Sequence, residues 1–465
     1  MSTVAPVLPA PLTAAVQDAP PRSGRRRLVV AALLTVVGLG ALLFWALAVG
    51  AGERAPDTTG LPAAGRLVEW GLPIATLAGR VAAVGTVGTL LFAAVLLPGR
   101  GALPDESRRA LRATAAWALT WVAATAIGAL LTLSRLVGSA PMDLSWASLR
   151  VFVEETGAGR AALFGVVLAA VVAATASRCT AAGARILLAV ALTALVLPVL
   201  LSGHSSAAED HLAAVTTLAV HVVAATVWIG GLLALLVHGR RVAAAATAAP
   251  RYSRLALACF LVTAGSGVLA AWLVLGGSGA VLDALGSGYG ALLLAKTAGL
   301  VLLGLIGWQH RRRTLPRLRA GDGRGFRRFA AGEVLPMLAT VALAVALAAS
   351  PPPTASTAPT APAATSGPGD GAAFEPMAGH DHGELSVGVL VDDERFHVAG
   401  PVAAGSRVTV FNSGDATVTL TADDGSFDLV VPSGSLSTFQ APGQPGEHPF
   451  TSGHSTSFAD VLVVE

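Results

Sequence analysis

The sequence predicts a mainly α fold, a polytopic helical membrane bundle of about nine spans, followed by a small extracytoplasmic all-β sandwich. Three observations predict it. Of 465 residues, 54% are hydrophobic and only 13% are charged, with a mean hydropathy of +0.67. Soluble domains carry about 25% charged residues. Apolar runs near or above the ~20 residues that a crossing helix needs recur as far as residue 350. Arginine is concentrated in every second connection between those runs, the pattern of cytoplasmic loops.

Residues 1–27 are rich in Pro and Ala and end in RSGRRR, which reads as a disordered basic cytoplasmic tail. Apolar spans follow at 28–50, 67–97, 108–137, 159–177, 182–202, 211–238, 253–276, 288–309 and 328–350. The apolar core of the first exceeds the ~7–15 residues of a signal peptide, so it reads as an anchor. The Arg-bearing connections hold Arg25–Arg27, then Arg100, Arg108 and Arg109, then Arg178 and Arg185, then Arg240, Arg241, Arg251 and Arg254. The last of them is HRRRTLPRLRAGDGRGFRR. The alternate connections, GAGERAPDTTG, PMDLSWASLRVFVEETG, GHSSAAED and GSGAVLDALGSG, are poor in Arg. This alternation places the N-terminus inside and the C-terminus outside a bacterial cytoplasmic membrane.

Residues 351–383 form a Pro/Thr/Ala-rich linker that ends in a Met/His cluster, MAGHDHGE. Beyond it, 384–465 carries short alternating runs (ELSVGVLV, RVTVFN, ATVTLTA, FDLVVP and FADVLVVE) separated by the turn signals NSGD, ADDG and PGQPG. These are the strands of the outer domain.

Composition narrows the chemistry. The net charge of +3 is small, and no nucleic-acid partner is expected. The two cysteines, Cys179 and Cys259, are far apart and form no thiolate zinc motif or disulfide framework. Only four methionines are present, too few for a Met-lined pore. GALLLAKT, 290–297, misses the second glycine of a P-loop and lies in a span, so it does not cradle phosphates. With no nucleotide motif, the chain does not read as an enzyme.

The candidate site residues cluster in GHSSAAEDHLAAVTTLAVHVVAATVWIGG, 203–231. His204 and His211 are seven apart and share the outer mouth with Glu209 and Asp210. His221 lies about 15 Å deeper and is turned by roughly 80° from His211, so one ion cannot bridge the two. Trp228 follows on the face of His221, and Gly230 and Gly231 permit close helix packing. An ionisable residue inside a span points to function. The solvated-mouth reading of His204 and His211, and a hydrogen-bonded structural role for His221, stand beside it. Lys296 is the only lysine. It either gates or balances charge within its span or snorkels to the surface. Glu333, near the inner end of the last span, reads as a ligand at the inner exit or as the acid of a helix N-terminus, with the second reading preferred. Arg80 falls mid-span and is expected to face the bundle. Met377, His380, Asp381 and His382 in the linker form either a capture cluster for a soft-to-borderline ion or a solvated segment.

GHSSAAED…HVVAATVWIGGLLAL, RYSRLALACFLVTAGSGVLAAW, SGYGALLLAKTAGLVLLGLIGWQHRRRTLPRL and FRRFAAGEVLPMLATVALAVALAASPPP together resemble the bacterial copper-resistance D (CopD-like) membrane family, over about 200–353. The resemblance implies copper as the transported ion, a role in copper tolerance or uptake, and an extracytoplasmic copper-binding protein as a partner. It makes His204, His211 and His221, with Met377, His380 and His382, the candidate copper ligands. TLTADDGSFDL and APGQPGEHPFTSGHSTSFADVLVV resemble the second half of a cupredoxin. Its copper positions appear degenerate: Val418 stands at the first His, Ser452 at the Cys and Phe458 at the axial ligand, while His448 and His454 remain nearby. Without the thiolate an electron-transfer copper centre is not expected, which leaves a structural domain or a weak Cu(II) site.

Two other classes compete with a copper permease. A b-type cytochrome needs facing axial histidines, and only His221 lies deep in a span, so haem is not expected. A non-transporting receptor or assembly scaffold, with the β domain as its binding module, is compatible with every motif.

Overall fold

The computed structural model describes residues 22–50, 65–99, 102–137, 139–201, 211–275, 285–314, 323–350, 388–391, 395–398, 400–412, 416–433, 435–453 and 455–465. Ten α-helices occur among them: α1 (Arg22–Gly50), α2 (Arg66–Leu91), α3 (Asp105–Val137), α4 (Trp146–Glu155), α5 (Gly157–Thr175), α6 (Ala181–Leu201), α7 (His211–His238), α8 (Val242–Leu275), α9 (Gly288–Gln309) and α10 (Gly323–Ala348). All but α4 are long and apolar enough to cross a membrane, which makes nine spans among the described residues. The expected bundle is therefore present.

Several boundaries differ from the sequence reading: α1 begins at Arg22, inside the stretch read as a disordered tail, and α10 at Gly323, and two differences are larger. α8 begins at Val242 rather than near residue 253, because the Ala-rich run before Pro250 is helical and Pro250 is carried within the helix. The connection 138–158 also contains α4, which the loop reading missed. Its start is capped by Ser145, whose hydroxyl accepts from the Ser148 amide at 3.0 Å.

α2 and α7 form the centre of the bundle. Their axes approach at two glycines: a Cβ on Gly88 would strike the backbone of Gly230, and one on Gly230 would strike the Val84 carbonyl. Gly231 in turn gives room to the Tyr252 ring and Leu91. This is the close packing that small residues permit where lipid offers no hydrophobic drive for helix association. The Tyr252 hydroxyl, buried on α8, donates to the Trp228 carbonyl at 3.0 Å and ties α8 to α7.

α2 ends in a π-helical turn, Phe92–Leu96, and α9 ends in another, His310–Thr314. The first is held by the Arg251 guanidinium, which donates to the Leu96 carbonyl at 2.9 Å. Nearby, Glu106 of α3 pairs with Arg241 at 3.2 Å and Arg109 at 3.4 Å. Arginines of the Arg-bearing connections thus tie helix ends together at one face of the bundle.

The C-terminal region folds as two four-stranded sheets, one more elaborate than the alternating runs had shown. Its strands are β1 (Val389–Val391), β2 (Phe396–Val398), β3 (Arg407–Asn412), β4 (Val418–Ala422), β5 (Asp428–Val431), β6 (Leu436–Gln440), β7 (Gly446–Ser452) and β8 (Ser455–Val464). The sheet orders are β2-β1-β3-β6 and β5-β4-β7-β8. β2, β6 and β7 were not foreseen. β2 has three residues, and β6 and β7 carry polar or Pro-containing runs whose alternation is weak. The two sheets close on Val389, Val391, Val408, Val410, Leu420, Val431, Phe450 and Leu462. The sandwich lies against the α3–α4 end of the bundle, where Leu133, Val137 and Phe152 pack with Leu390, Phe411 and Leu436. That end also holds the Arg-poor connection 138–145.

Candidate functional site

His221 sits on α7, half-buried against α8. A Cβ on Gly267 would lie 3.4 Å from its Cε1, so the glycine makes room for the ring. Its Nδ1 is 3.0 Å from Ser266 Oγ. The Ser266 hydroxyl donates its one proton to the Val262 carbonyl at 2.6 Å. With that proton given to the carbonyl, the oxygen accepts from the imidazole and Nδ1 carries the proton. The Thr263 carbonyl, on the same helix, is the ring's other polar neighbour. In this tautomer Nε2 keeps its lone pair. That tautomer suits a metal ligand or a proton acceptor.

Lys296 lies on α9 within electrostatic reach of His221, and Arg80 on α2 lies within reach of Lys296. The depths agree: His221 is ten residues from the start of α7, Lys296 eight from that of α9, and Ser266 nine from the end of α8. At ~1.5 Å per residue this level is roughly 12–15 Å from those helix ends. Arg80 keeps an exposed side chain and makes no ion pair among the described residues, so the buried pairing expected for it is not found. Neither does a carboxylate pair with Lys296 among them.

At the other end of the bundle the structure assembles a second group of residues. Glu333 is buried on α10, ten residues inside the helix, so it does not serve as the acid of a helix N-terminus. Its Oε2 lies 3.4 Å from Nε2 of His310, the first residue of the π-helical turn after α9. The pair lines a cavity of about 290 Å³ walled by Trp228, Tyr252, Phe260, Leu303 and Trp308. Trp228 stacks edge-on against Phe260 with ring centroids 5.6 Å apart, so it belongs to this cavity rather than to the mouth. Arg311 also reaches the rim, its guanidinium donating to the Ser253 carbonyl at 2.6 Å.

His310 and Tyr252 were missed as site residues. His310 stands at the end of its span, where a histidine is ordinarily solvated. The usable signal was the short Arg-rich link between the last two spans, which places the end of one opposite the start of the next. Tyr252 carried no signal, because nothing local to it points to Glu333.

In the sandwich, His448 Nδ1 meets Asp424 Oδ2 at 2.7 Å and Nε2 meets the Gln444 carbonyl at 3.1 Å. Both partners only accept, so both ring nitrogens carry protons. Donating to the Asp424 carboxylate raises the His448 pKa, and hydrogen bonds from Ser426 and His448 hold Asp424 down at about 2. His448 thus serves as a hydrogen-bonded tie within the sandwich. Val418 and Ser452, which the cupredoxin resemblance sets at two ligand positions, are buried. His204, Met377, His380, Asp381, His382 and His454 lie outside the described residues, as do the side chains of His211 and Phe458.

Fold and site together define a multi-pass helical membrane protein with imidazole and carboxylate groups set inside its spans and a β sandwich at one end. The family described as Copper resistance protein D matches residues 246–347, and the one described as Copper resistance protein D-like, N-terminal domain matches residues 67–214. The two cover more than half of the chain between them, and the chain belongs to the CopD-like family of copper-resistance membrane proteins. No curated protein matches it.

Proposed function

We propose that the protein passes copper inward across the bacterial cytoplasmic membrane, with the sandwich on the outer side. The observation that carries this reading is His221: an intramembrane imidazole whose proton is held on Nδ1 by Ser266, leaving Nε2 as a donor. Membership of a copper-resistance family supplies the ion. In this reading Met377, His380 and His382 collect copper, alone or from an extracytoplasmic copper-binding protein. His204 and His211 receive it at the mouth, and His221 relays it. Lys296 and Arg80 raise the local positive potential, so they restrict the rate at which a cation passes the His221 level. Transport then requires no nucleotide, haem or catalytic step by this chain.

The test is cell-associated copper, measured by elemental analysis in cells with an empty vector, the wild-type chain or His221→Ala at matched expression. The expected result is a several-fold rise with wild type that the variant loses. Equal copper in all three would remove the transport reading.

One observation favours a second reading, a receptor or assembly scaffold. The sandwich is seated on α4 through an apolar cluster, which offers a route for binding at the sandwich to reach the bundle. Its signature is a copper phenotype that survives His221→Ala but is lost when 388–465 is deleted.

A further inference from the structure

We infer that His310 and Glu333 are the two protein ligands of an open divalent-metal site at the inner end of the bundle, suited to Cu(II) or Zn(II). The inference rests on the copper-permease reading only for the identity of the physiological ion, not for the existence of the site.

The first argument is spacing. A charge-assisted imidazole–carboxylate hydrogen bond closes to about 2.7–2.9 Å. His310 Nε2 and Glu333 Oε2 stand 3.4 Å apart although both side chains are largely buried. Two donors each about 2.1 Å from one ion at a tetrahedral angle lie roughly 3.4 Å from each other. The pair is too wide for a tight hydrogen bond and matches the bite of a shared cation.

The second argument is the surroundings. The cavity of about 290 Å³ opens beside the pair and leaves space for water or another small donor in the remaining coordination positions. Most of its other walls, among them Trp228, Phe260, Leu303 and Trp308, are apolar, and Ser253 adds a hydroxyl among the described residues. The Tyr252 hydroxyl is committed to the Trp228 carbonyl. Arg311 is drawn to the Ser253 carbonyl, which directs one guanidinium nitrogen away from the pair.

The third argument is the backbone. His310 begins a π-helical turn, and a single-turn π register is a common way to re-aim a functional side chain. An imidazole and a carboxylate are borderline-to-hard donors, so the site favours Cu(II) or Zn(II) over Cu(I), which prefers sulfur. With two protein ligands it holds the ion loosely, as a site of passage must.

The experiment uses the purified full-length protein in detergent or nanodiscs, with Co(II) as a coordination probe and Zn(II) as competitor. Wild type is compared with His310→Ala, Glu333→Gln, Glu333→His and His221→Ala, each checked for wild-type elution and melting. The expected result is a visible tetrahedral ligand-field band in wild type that Zn(II) bleaches. His310→Ala and Glu333→Gln lose one equivalent of this band or weaken its affinity at least ~10-fold. Glu333→His, which keeps a donor but destroys the ion pair, retains it within a few-fold. His221→Ala leaves the Zn(II)-sensitive inner component in place. Equal Co(II) spectra and affinities in wild type and both inner variants, or no Co(II) bound by wild type, would overturn the site. Loss in Glu333→His as deep as in Glu333→Gln would also count against it, because the pair would then act as a staple between α9 and α10. If His221→Ala abolishes cellular copper accumulation while the inner variants bind Co(II) normally, the transport reading survives and this site fails. The converse pattern keeps the site and removes the transport reading.

Discussion

The membrane bundle and the β sandwich each hold a histidine on a hydrogen-bonded neighbour, and they do so in opposite ways. His221 in the bundle meets a serine whose proton is already spent, so it gives one proton and keeps one lone pair. His448 in the sandwich meets a carboxylate and a carbonyl, so it gives two protons and keeps none. The difference lies in the partners rather than in the residue type. A histidine becomes a ligand only where its surroundings leave a nitrogen bare. The sandwich has used its histidine to tie Asp424, in the β4–β5 turn, to β7.

The largest expected effect breaks the bundle side of this contrast at its frame. Gly88→Val or Gly230→Val places side-chain atoms where the facing backbone already stands. Overpacking typically costs about 1–3 kcal/mol, and a clash with main chain leaves little to relax. Both variants are expected to accumulate poorly in membranes and to elute as aggregates by size exclusion. Elution as a wild-type monodisperse peak would show that α2 and α7 do not meet there.

Removing the serine sharpens the contrast more selectively. Ser266→Ala deletes the acceptor that fixes the proton on Nδ1, so the His221 ring is free to take either tautomer. The expectation is a fall in copper accumulation smaller than that of His221→Ala, at unchanged expression. A drop equal to that of His221→Ala would mean that Ser266 does more than orient the ring. Lys296→Gln is expected to act in the opposite direction, with faster copper uptake in timed assays, since it removes a positive charge near the path. Slower uptake would assign Lys296 a supporting rather than a restricting role.

The smallest effect belongs to the sandwich. His448→Ala is expected to leave copper accumulation unchanged. Its consequence is a pH dependence. The folded pKa of His448 is raised, so its contribution to stability is complete below the unfolded value of about 6.5 and is lost as pH rises through the folded value. Asp424 works from the other side: its contribution is present above about 3.8 and is lost as pH falls towards about 2. Side-chain NMR of the full-length protein, with His448→Ala to identify the resonance, should show the His448 ring titrating above a free imidazole. Titration at or below the free value would remove the Asp424 tie.

Much of the architecture was legible because hydropathy and arginine placement are local. Nine spans, the β region after them and five of the strand runs could be read from windows of ten to twenty residues. The boundaries went wrong where local signals conflict. The span was read from residue 253, yet α8 runs back through Pro250 to Val242. The short α4 hid in a connection whose apolar residues later pack on the sandwich. Within the site, His221 and Glu333 stood out as ionisable groups in apolar surroundings. Their partners did not, because Ser266 lies 45 residues from His221 in the chain and His310 lies 23 from Glu333.

By itself the sequence determined that the chain must cross a membrane repeatedly, where its arginines gather and which spans carry imidazole, because the cost of placing polar groups in hydrocarbon acts on each segment alone. The tertiary structure decided that His221 meets Ser266, that both nitrogens of His448 have partners, and that His310 and Glu333 share a cavity. Those outcomes depend on the direction of hydrogen bonds and on contacts between helices distant in the chain, and no local pattern encodes either.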